Sequence, residues 1–162
     1  MRAVDYNALK LAINDFNKRY PRPHLSLHLN PLSPVDTKEM WQYADKQGLY
    51  FLFDSGGTLQ YIGKASFNSN IGVRLGERFS SKDCRCLDSR FSSVSMLATI
   101  ALPKNRAFEA SSIEEYLITR LNPPPPLWAG NAVDPAGCTR ARGARATGCR
   151  PHQGDRPRLQ LV

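Results

Sequence analysis

The sequence predicts an α+β fold in which a small three-stranded antiparallel sheet is flanked by helices. The first observation is a hairpin, because the apolar segment Gly48–Asp54 and the strand-like segment Thr58–Lys64 flank the turn residues 55–57. The second is Val94–Leu102, which is apolar and β-branched enough for a third strand. The third is the helical spacing of apolar side chains over Arg106–Leu121.

Residues 1–46 are predicted to form an N-terminal helical and extended elaboration of this sheet. Apolar side chains recur at helical spacing from Leu9 to Tyr20, and Pro21 ends the pattern. The segment His24–Leu29 alternates strictly between polar and apolar residues. That alternation predicts a short strand or an extended stretch laid on the core.

Two further short helices are expected. One covers residues 36–46, with Asp36 as its cap and Glu39 placed as in a capping box. Within it, Trp41 and Tyr43 are expected to pack. The other covers Ile71–Phe79, and its two glycines make it a weak helix.

Composition and charge indicate one small domain, a basic tail and an anionic partner. The chain has 162 residues, of which 41% are hydrophobic, and a formal net charge of +8 at pH 7. This apolar content excludes a wholly disordered chain, and no apolar run reaches the ~20 residues of a membrane span. A positive balance of this size favours nucleic acid as the first candidate partner, and no membrane partner is expected.

The C-terminal part differs in composition from the rest. Residues 129–162 carry half of the excess positive charge and are rich in Ala, Gly, Arg and Pro. A tail of this kind is expected to be disordered in isolation. Because the tetraproline Pro123–Pro126 stops a helix, we divide the chain into 1–46, 47–126 and 127–162. The tail is either a basic nucleic-acid arm or an extension without function.

The cysteines and histidines leave two interpretations open. Four cysteines in a chain without an apolar N-terminal signal indicate a reducing cytoplasm rather than a disulfide framework. They are free thiols or, less in keeping with their spacing, zinc ligands. These cysteines are Cys84, Cys86, Cys138 and Cys149. His24 and His28 share one face of the alternating segment, as exposed side chains or as metal ligands.

The last predicted helix carries a carboxylate on its apolar face. At 3.6 residues per turn, Glu114 lies about 30° from the centre of the apolar stripe, whereas Glu115 lies about 130° away. A carboxylate in an apolar environment is unfavourable unless it is paired or binds a cation. Glu114 is therefore either half of a structural ion pair, with Lys64 or Arg74, or part of a functional cation site.

The hairpin and the segment after it carry a set of side chains suited to phosphodiester hydrolysis. Tyr50 and Tyr61 lie on the two strands as candidate cross-strand neighbours, and three cations follow at Lys64, Arg74 and Arg78. Hydrolysis of a phosphodiester needs a water nucleophile, a base, cationic stabilisation and often a divalent metal ion. A single carboxylate is able to hold Mg²⁺ when water and phosphate supply the other ligands.

Two motifs in the hairpin resemble the signature of the GIY-YIG nuclease superfamily. Gly48-Leu49-Tyr50 is followed after ten residues by Tyr61-Ile62-Gly63-Lys64-Ala65. Arg74-Leu75 and the segment from Glu109 to Ile118 follow in the family's order. The resemblance covers residues 47–126. It implies a three-stranded antiparallel sheet flanked by helices and cleavage of DNA with one divalent ion, Mg²⁺ or Mn²⁺.

The resemblance implies a role for each hairpin residue that matches the motif. Tyr50 would act as the general base or would position the attacking water. Tyr61 would help to orient that water or the phosphate. Lys64 would lower the proton affinity of the tyrosine and bind phosphate.

The resemblance also assigns residues outside the hairpin. Arg74 would stabilise the charge that grows on the phosphate, and Glu114 would ligate the metal ion. Arg78 stands near the position where relatives often carry His or Tyr, and we expect it to bind substrate. The proposed chemistry requires the Glu114 carboxylate to lie close to both phenols and to the cations.

The sequence therefore predicts a metal-dependent endonuclease that hydrolyses DNA phosphodiester bonds, with RNA as an open alternative substrate and no small-molecule cofactor. Two other functions stay open. The first is a nucleic-acid-binding module that keeps the nuclease fold without catalysis. The second is a small interaction protein in which the motif is only a signature of the fold.

Overall fold

The computed structural model describes residues 4–36, 40–79 and 91–123. These residues form three α-helices and an antiparallel sheet of four strands. The elements in chain order are α1 (Tyr6–Arg19), β1 (Ser33–Pro34), β2 (Gln47–Asp54), β3 (Leu59–Ala65), α2 (Ile71–Gly76), β4 (Val94–Leu102), a 3₁₀ helix (Lys104–Glu109) and α3 (Ala110–Leu121).

The strand order is β1-β4-β2-β3, and every neighbouring pair is antiparallel. The mixed helix and antiparallel-sheet class is as predicted, but the expected number of three strands was wrong. The fourth strand, β1, consists of Ser33 and Pro34 paired with Leu97 and Met96. A two-residue strand has no alternation to detect, and its proline is tolerated because β1 lies at an edge of the sheet.

The central strand β2 is buried on both faces, which explains its continuous apolar sequence. One face of β2 presents Leu49, Phe51 and Phe53 to a core shared with α1 and α3. The opposite face presents Tyr50 and Leu52 to a second core shared with α2. The sheet therefore separates α1 and α3 on one side from α2 on the other, with Tyr50 on the α2 side.

The N-terminal helix is confirmed. α1 begins after Asp5, whose carboxylate accepts a hydrogen bond from the Ala8 amide at 2.8 Å. The alternating segment after α1 forms no named strand: His24 lies in a turn with a φ of 63°, and Leu25 and Leu27 are buried in the α1–α3 core. His24 and His28 are both exposed, but the turn at His24 interrupts the alternation that would give them one face.

The helix expected over residues 36–46 was wrong in its described part, because residues 42–45 form a turn. Residues 37–39, including Glu39 of the expected capping box, lie outside the described residues. Trp41 packs against the α2-side core and donates a hydrogen bond to the Val35 carbonyl at 2.9 Å. Tyr43 is exposed rather than packed. The Ala44 carbonyl of this turn and the Lys46 carbonyl after it accept hydrogen bonds from the start of α2.

The remaining elements agree with the sequence to within a few residues. The short helix α2 ends at Gly76 rather than at residue 79, and Asn70 caps it through the Val73 amide. The last predicted helix begins as a 3₁₀ turn at Lys104 and becomes α-helical at Ala110. The tail 127–162 and all four cysteines lie outside the described residues. None of the helices in the described ranges has the length and apolar character that a membrane span requires.

Candidate active site

Two tyrosine rings cross the backbone of β3 at Gly63. Tyr50 is the antiparallel partner of Gly63, and Tyr61 precedes Gly63 by two residues on the same face. The centroids of the two rings are 6.0 Å apart. A Cβ atom built on Gly63 would lie 2.5 Å from the Tyr50 hydroxyl and 2.6 Å from Cε1 of Tyr61. Glycine is therefore required at this position for both rings to lie over the strand.

The guanidinium of Arg78 lies between the two phenol oxygens. Its Nε donates to the Tyr50 hydroxyl at 3.2 Å, and its Nη2 donates to the Tyr61 hydroxyl at 3.4 Å. Its central carbon lies 5.0 Å from the centroid of the Tyr61 ring. Tyr50 is 1% exposed, while Tyr61 and Arg78 are half-buried. We call Tyr50, Tyr61 and Arg78 the tyrosine cluster.

Arg74 lies outside this cluster. It is exposed on α2, and its guanidinium forms an ion pair with Glu77 at 3.3 Å. Because α2 ends at Gly76, Arg78 lies beyond the helix, where its amide donates to the Leu75 carbonyl at 2.9 Å. Arg74 and Arg78 therefore do not share a helix face. The residue expected only to bind substrate is the one that contacts both tyrosines.

Burial changes the proton affinity of Tyr50. Removal from water and, to a smaller extent, the neighbouring Tyr61 raise its pKa from 10.0 to about 12, although Arg78 opposes the rise. At neutral pH a phenol with this pKa is ionised in roughly one molecule in 10⁵. Of the two roles that the resemblance implies for Tyr50, the protonated phenol favours the positioning of water over general-base catalysis.

The raised pKa of Tyr50 makes stability depend on pH in the alkaline range. The folded-state pKa of about 12 exceeds the ordinary value of 10.0. The protonated Tyr50 phenol therefore contributes its full stabilisation to the folded state below pH 10, and this stabilisation is lost as the pH rises towards 12. We expect wild type to lose about 2–3 kcal/mol relative to Tyr50→Phe across this window. Urea unfolding of both proteins at a series of alkaline pH values measures the difference. Parallel stability profiles would contradict the raised pKa.

Lys64 and Glu114 form the second part of the candidate site. The Lys64 Nζ donates to Oε2 of Glu114 at 2.6 Å, and the Glu114 side chain is 17% exposed. The predicted orientation of α3 is confirmed, because Glu114 faces the sheet and Glu115 is exposed. Among the described residues the carboxylate receives its hydrogen bond through Oε2, which leaves Oε1 for another ligand. Of the two proposed ion-pair partners, Lys64 is correct and Arg74 is not.

The two parts of the site approach β3 from opposite faces of the sheet. Tyr61 and Lys64 are three residues apart in a regular part of the strand, so their side chains point to opposite sides. The tyrosine cluster lies on the α2 side, and the Lys64–Glu114 pair lies on the α3 side. The expected contact of Glu114 with both phenols was therefore wrong, and within the described ranges its carboxylate contacts Lys64 instead. Because β3 is an edge strand, both parts of the site lie along one edge of the sheet.

The described residues fit a divalent ion only as a single-carboxylate site. No group of three or more His, Cys, Asp or Glu side chains suited to a metal ion occurs in the described ranges. Mg²⁺ commonly keeps several waters and uses one or two carboxylates together with substrate phosphate. The partly exposed Glu114, with one oxygen bound to Lys64, meets that minimal requirement.

A third charged cluster, which sequence reasoning did not identify, holds the start of α3 in place. Glu109 is buried, and it forms ion pairs with Arg22 and with Arg106, the latter at 3.1 Å. Arg22 lies 87 positions before Glu109 in the chain, so no local pattern indicates their contact. The cluster attaches the segment after α1 to the element that carries Glu114.

Comparison of the chain with protein-family models, with curated proteins and with solved structures finds no match.

Proposed function

We propose that the chain is a metal-dependent endonuclease that hydrolyses DNA phosphodiester bonds, and that it is a member of the GIY-YIG superfamily. The observation that carries the proposal is the guanidinium of Arg78 held between the hydroxyls of Tyr50 and Tyr61. Guanidinium groups bind phosphate oxygens through directed, charge-assisted hydrogen bonds. A cation flanked by two phenol hydroxyls is suited to hold a phosphate and a water molecule next to each other.

Each residue of the tyrosine cluster has a distinct task in this proposal. Arg78 binds a non-bridging oxygen of the phosphate and stabilises the negative charge that grows there. The half-buried Tyr61 orients the attacking water or the phosphate. Tyr50, which stays protonated, fixes the position of Arg78 and of Tyr61. Arg74, which is exposed on α2, binds the DNA backbone beyond the reacting phosphate.

The Lys64–Glu114 pair supplies the second half of the chemistry from the other face of β3. The proposal therefore requires the DNA phosphate to lie at the free edge of this strand, within reach of both parts of the site. Glu114 is the residue that would hold a divalent ion, Mg²⁺ or Mn²⁺. Such an ion, when bound, polarises a phosphoryl oxygen and lowers the pKa of a bound water. Lys64 compensates the charge of the carboxylate in the free protein and binds phosphate when DNA is present. Its partial exposure leaves the ammonium group accessible for this exchange.

The experiment that tests the function is cleavage of a supercoiled plasmid in Mg²⁺ or Mn²⁺, with EDTA as the metal-free control. We expect Tyr61→Phe to lower the cleavage rate about 10- to 100-fold, because it removes a hydroxyl from the reacting phosphate. The matched control is Tyr116→Phe, since this phenol donates to Asp15 at 2.9 Å on the opposite side of the sheet. Tyr116→Phe is expected to cleave at the wild-type rate.

A non-catalytic nucleic-acid-binding module is the second candidate function. It is favoured by the protonated state of Tyr50 and by the direct contact of Lys64 with Glu114. The same preparation distinguishes the two functions. Salt-dependent binding of DNA by wild type without any metal-dependent cleavage would overturn the nuclease proposal and support the binding module.

A further inference from the structure

Two aromatic side chains at one end of the sheet are exposed and have left-handed backbone conformations. Tyr43, in the turn before β2, has a φ of 56° and is 47% exposed. Phe67, just after β3, has a φ of 56° and is 75% exposed. This conformation is unfavourable for a bulky side chain and is usually taken by Gly, Asn or Asp. Because neither ring is buried, packing within the domain does not offset that cost.

The two loops that carry these rings leave the sheet at the same end. Gly48 near the start of β2 pairs with Ala65 at the end of β3. Tyr43 lies five positions before Gly48, and Phe67 lies two positions after Ala65. The side-chain amide of Gln47 donates to the Phe67 carbonyl and connects the two loops directly.

The start of α2 joins the same surface. The amides of Ile71 and Gly72 donate to the carbonyls of Lys46 and Ala44 at 2.9 and 2.8 Å. The next residue, Val73, is also exposed. Hydrogen bonds therefore link the three backbone segments that carry Tyr43, Phe67 and Val73 at this end of the sheet, and we call these three residues the apolar rim.

Exposed cations accompany the apolar rim. Lys46 lies next to the turn and Arg74 follows Val73, and each is paired with an exposed carboxylate close by in sequence. Exposed pairs of this kind are weak and exchange readily for phosphate. Phosphate groups bind to exposed cations, and the faces of unpaired bases stack on exposed aromatic rings. In an uninterrupted duplex the bases stack on one another. Its phosphates are able to bind the cations, but its bases are not free to stack on the exposed rings.

We propose that the apolar rim stacks on unpaired bases of DNA, so that the substrate class is DNA with a single-stranded or locally unpaired segment beside the cleaved bond. The statement about cleavage rests on the proposed function. The binding itself does not depend on catalysis. Val73 of the apolar rim lies in α2, and the chain leads from α2 to Arg78 of the tyrosine cluster. Bases on the rim would therefore place the adjoining backbone near Arg78.

The test is fluorescence anisotropy in EDTA with three labelled DNAs of one length: a single strand, a duplex with an unpaired bubble and an uninterrupted duplex. We expect Tyr43→Ala and Phe67→Ala each to weaken binding of the single strand and of the bubble duplex about tenfold. Binding of the uninterrupted duplex should weaken by less than about twofold. The matched control is Phe108→Ala, because Phe108 is an exposed ring in the 3₁₀ helix that leads to α3. This control is expected to bind all three DNAs like wild type.

A second variant separates lost binding from lost folding. Phe67→Asn suits the left-handed backbone, so we expect it to unfold at the same or a higher temperature than wild type and still bind the single strand as weakly as Phe67→Ala. Unchanged binding in the rim variants, or an equal loss for all three DNAs, would overturn the inference. A preference for an RNA strand over the DNA strand would also overturn it. The inference would also be overturned if wild type self-associates and the rim variants lose this self-association while their DNA binding is unchanged.

The outcomes distinguish this inference from the proposed function. If wild type fails to cleave a plasmid but the rim variants lose single-strand binding selectively, the rim is a DNA-binding surface of a non-catalytic module. If wild type cleaves and the rim variants bind like wild type, the nuclease proposal stands and the rim inference is wrong.

Discussion

Glu114→Gln is expected to lower the metal-dependent cleavage rate about 100- to 1000-fold, whereas Glu115→Gln retains the wild-type rate. Glutamine preserves the shape of the side chain but removes the negative charge that a divalent ion requires. The two glutamates are adjacent in α3, yet Glu114 faces the sheet beside Lys64 and Glu115 faces solvent. The comparison therefore changes the same chemical group at two positions that differ in orientation. Initial rates of plasmid cleavage over a range of Mn²⁺ concentrations measure the effect.

The contrary result has a defined meaning. If Glu114→Gln cleaves at the wild-type rate, the carboxylate serves only as the structural partner of Lys64. A partly exposed pair of this kind is worth about 0.5–1 kcal/mol. In that case Lys64→Met and Glu114→Gln would each reduce the free energy of unfolding by a similar amount, and the double variant would lose no more than either alone.

Gly48→Ala is expected to destabilise the fold by about 3–5 kcal/mol. Gly48 has a φ of 155°, and a Cβ atom there would lie 3.0 Å from the Ile100 carbonyl carbon and 3.2 Å from the Ala101 Cα. These are backbone atoms of the neighbouring strand β4, so no side-chain rotation relieves the overlap. β2 is hydrogen-bonded on both sides, and displacing it would disturb both ladders.

Gly76→Ala is the control for this substitution. A Cβ atom at Gly76 would meet no atom within 4 Å, and the last turn of α2 accommodates alanine. We expect Gly76→Ala to leave the free energy of unfolding unchanged or to raise it by up to about 1 kcal/mol. Urea unfolding of the three proteins measures both effects. A similar stability of Gly48→Ala and wild type would show that β2 and β4 are able to separate at this point without loss.

The sequence predicted the sheet well where residues report directly on burial. The apolar segments Gly48–Asp54 and Val94–Leu102 became β2 and β4, because a strand covered on both faces needs apolar side chains throughout. Helical periodicity placed Glu114 on the inner face of α3, because that orientation depends on position within one helix. The small strand β1 and the turn at residues 42–45 were missed, because both are held by partners distant in sequence.

The contacts among the candidate-site residues were predicted only in part. A motif gives the order of residues and not their contacts, so it assigned charge stabilisation to Arg74 and only substrate binding to Arg78. In the structure α2 ends at Gly76, so that Arg78 contacts the tyrosines and Arg74 stays exposed. The alternation of strand side chains does place Tyr61 and Lys64 on opposite faces. This alternation could have been read from the sequence, but the expected site was based on the motif, which does not specify the faces of the strand.

The contact of Glu109 with Arg22 has a consequence for how the molecule is put together. The boundary before β2 follows the sequence motif. It does not separate two cores, because α1 packs on the same face of the sheet as α3 and shares its hydrophobic core. We therefore expect residues 1–46 and the described part of residues 47–126 to stabilise each other and to unfold in one cooperative transition. A protein that received the hairpin and α3 would also need α1. Otherwise it would need other side chains to bury the same face of the sheet and a cation to pair with the buried Glu109.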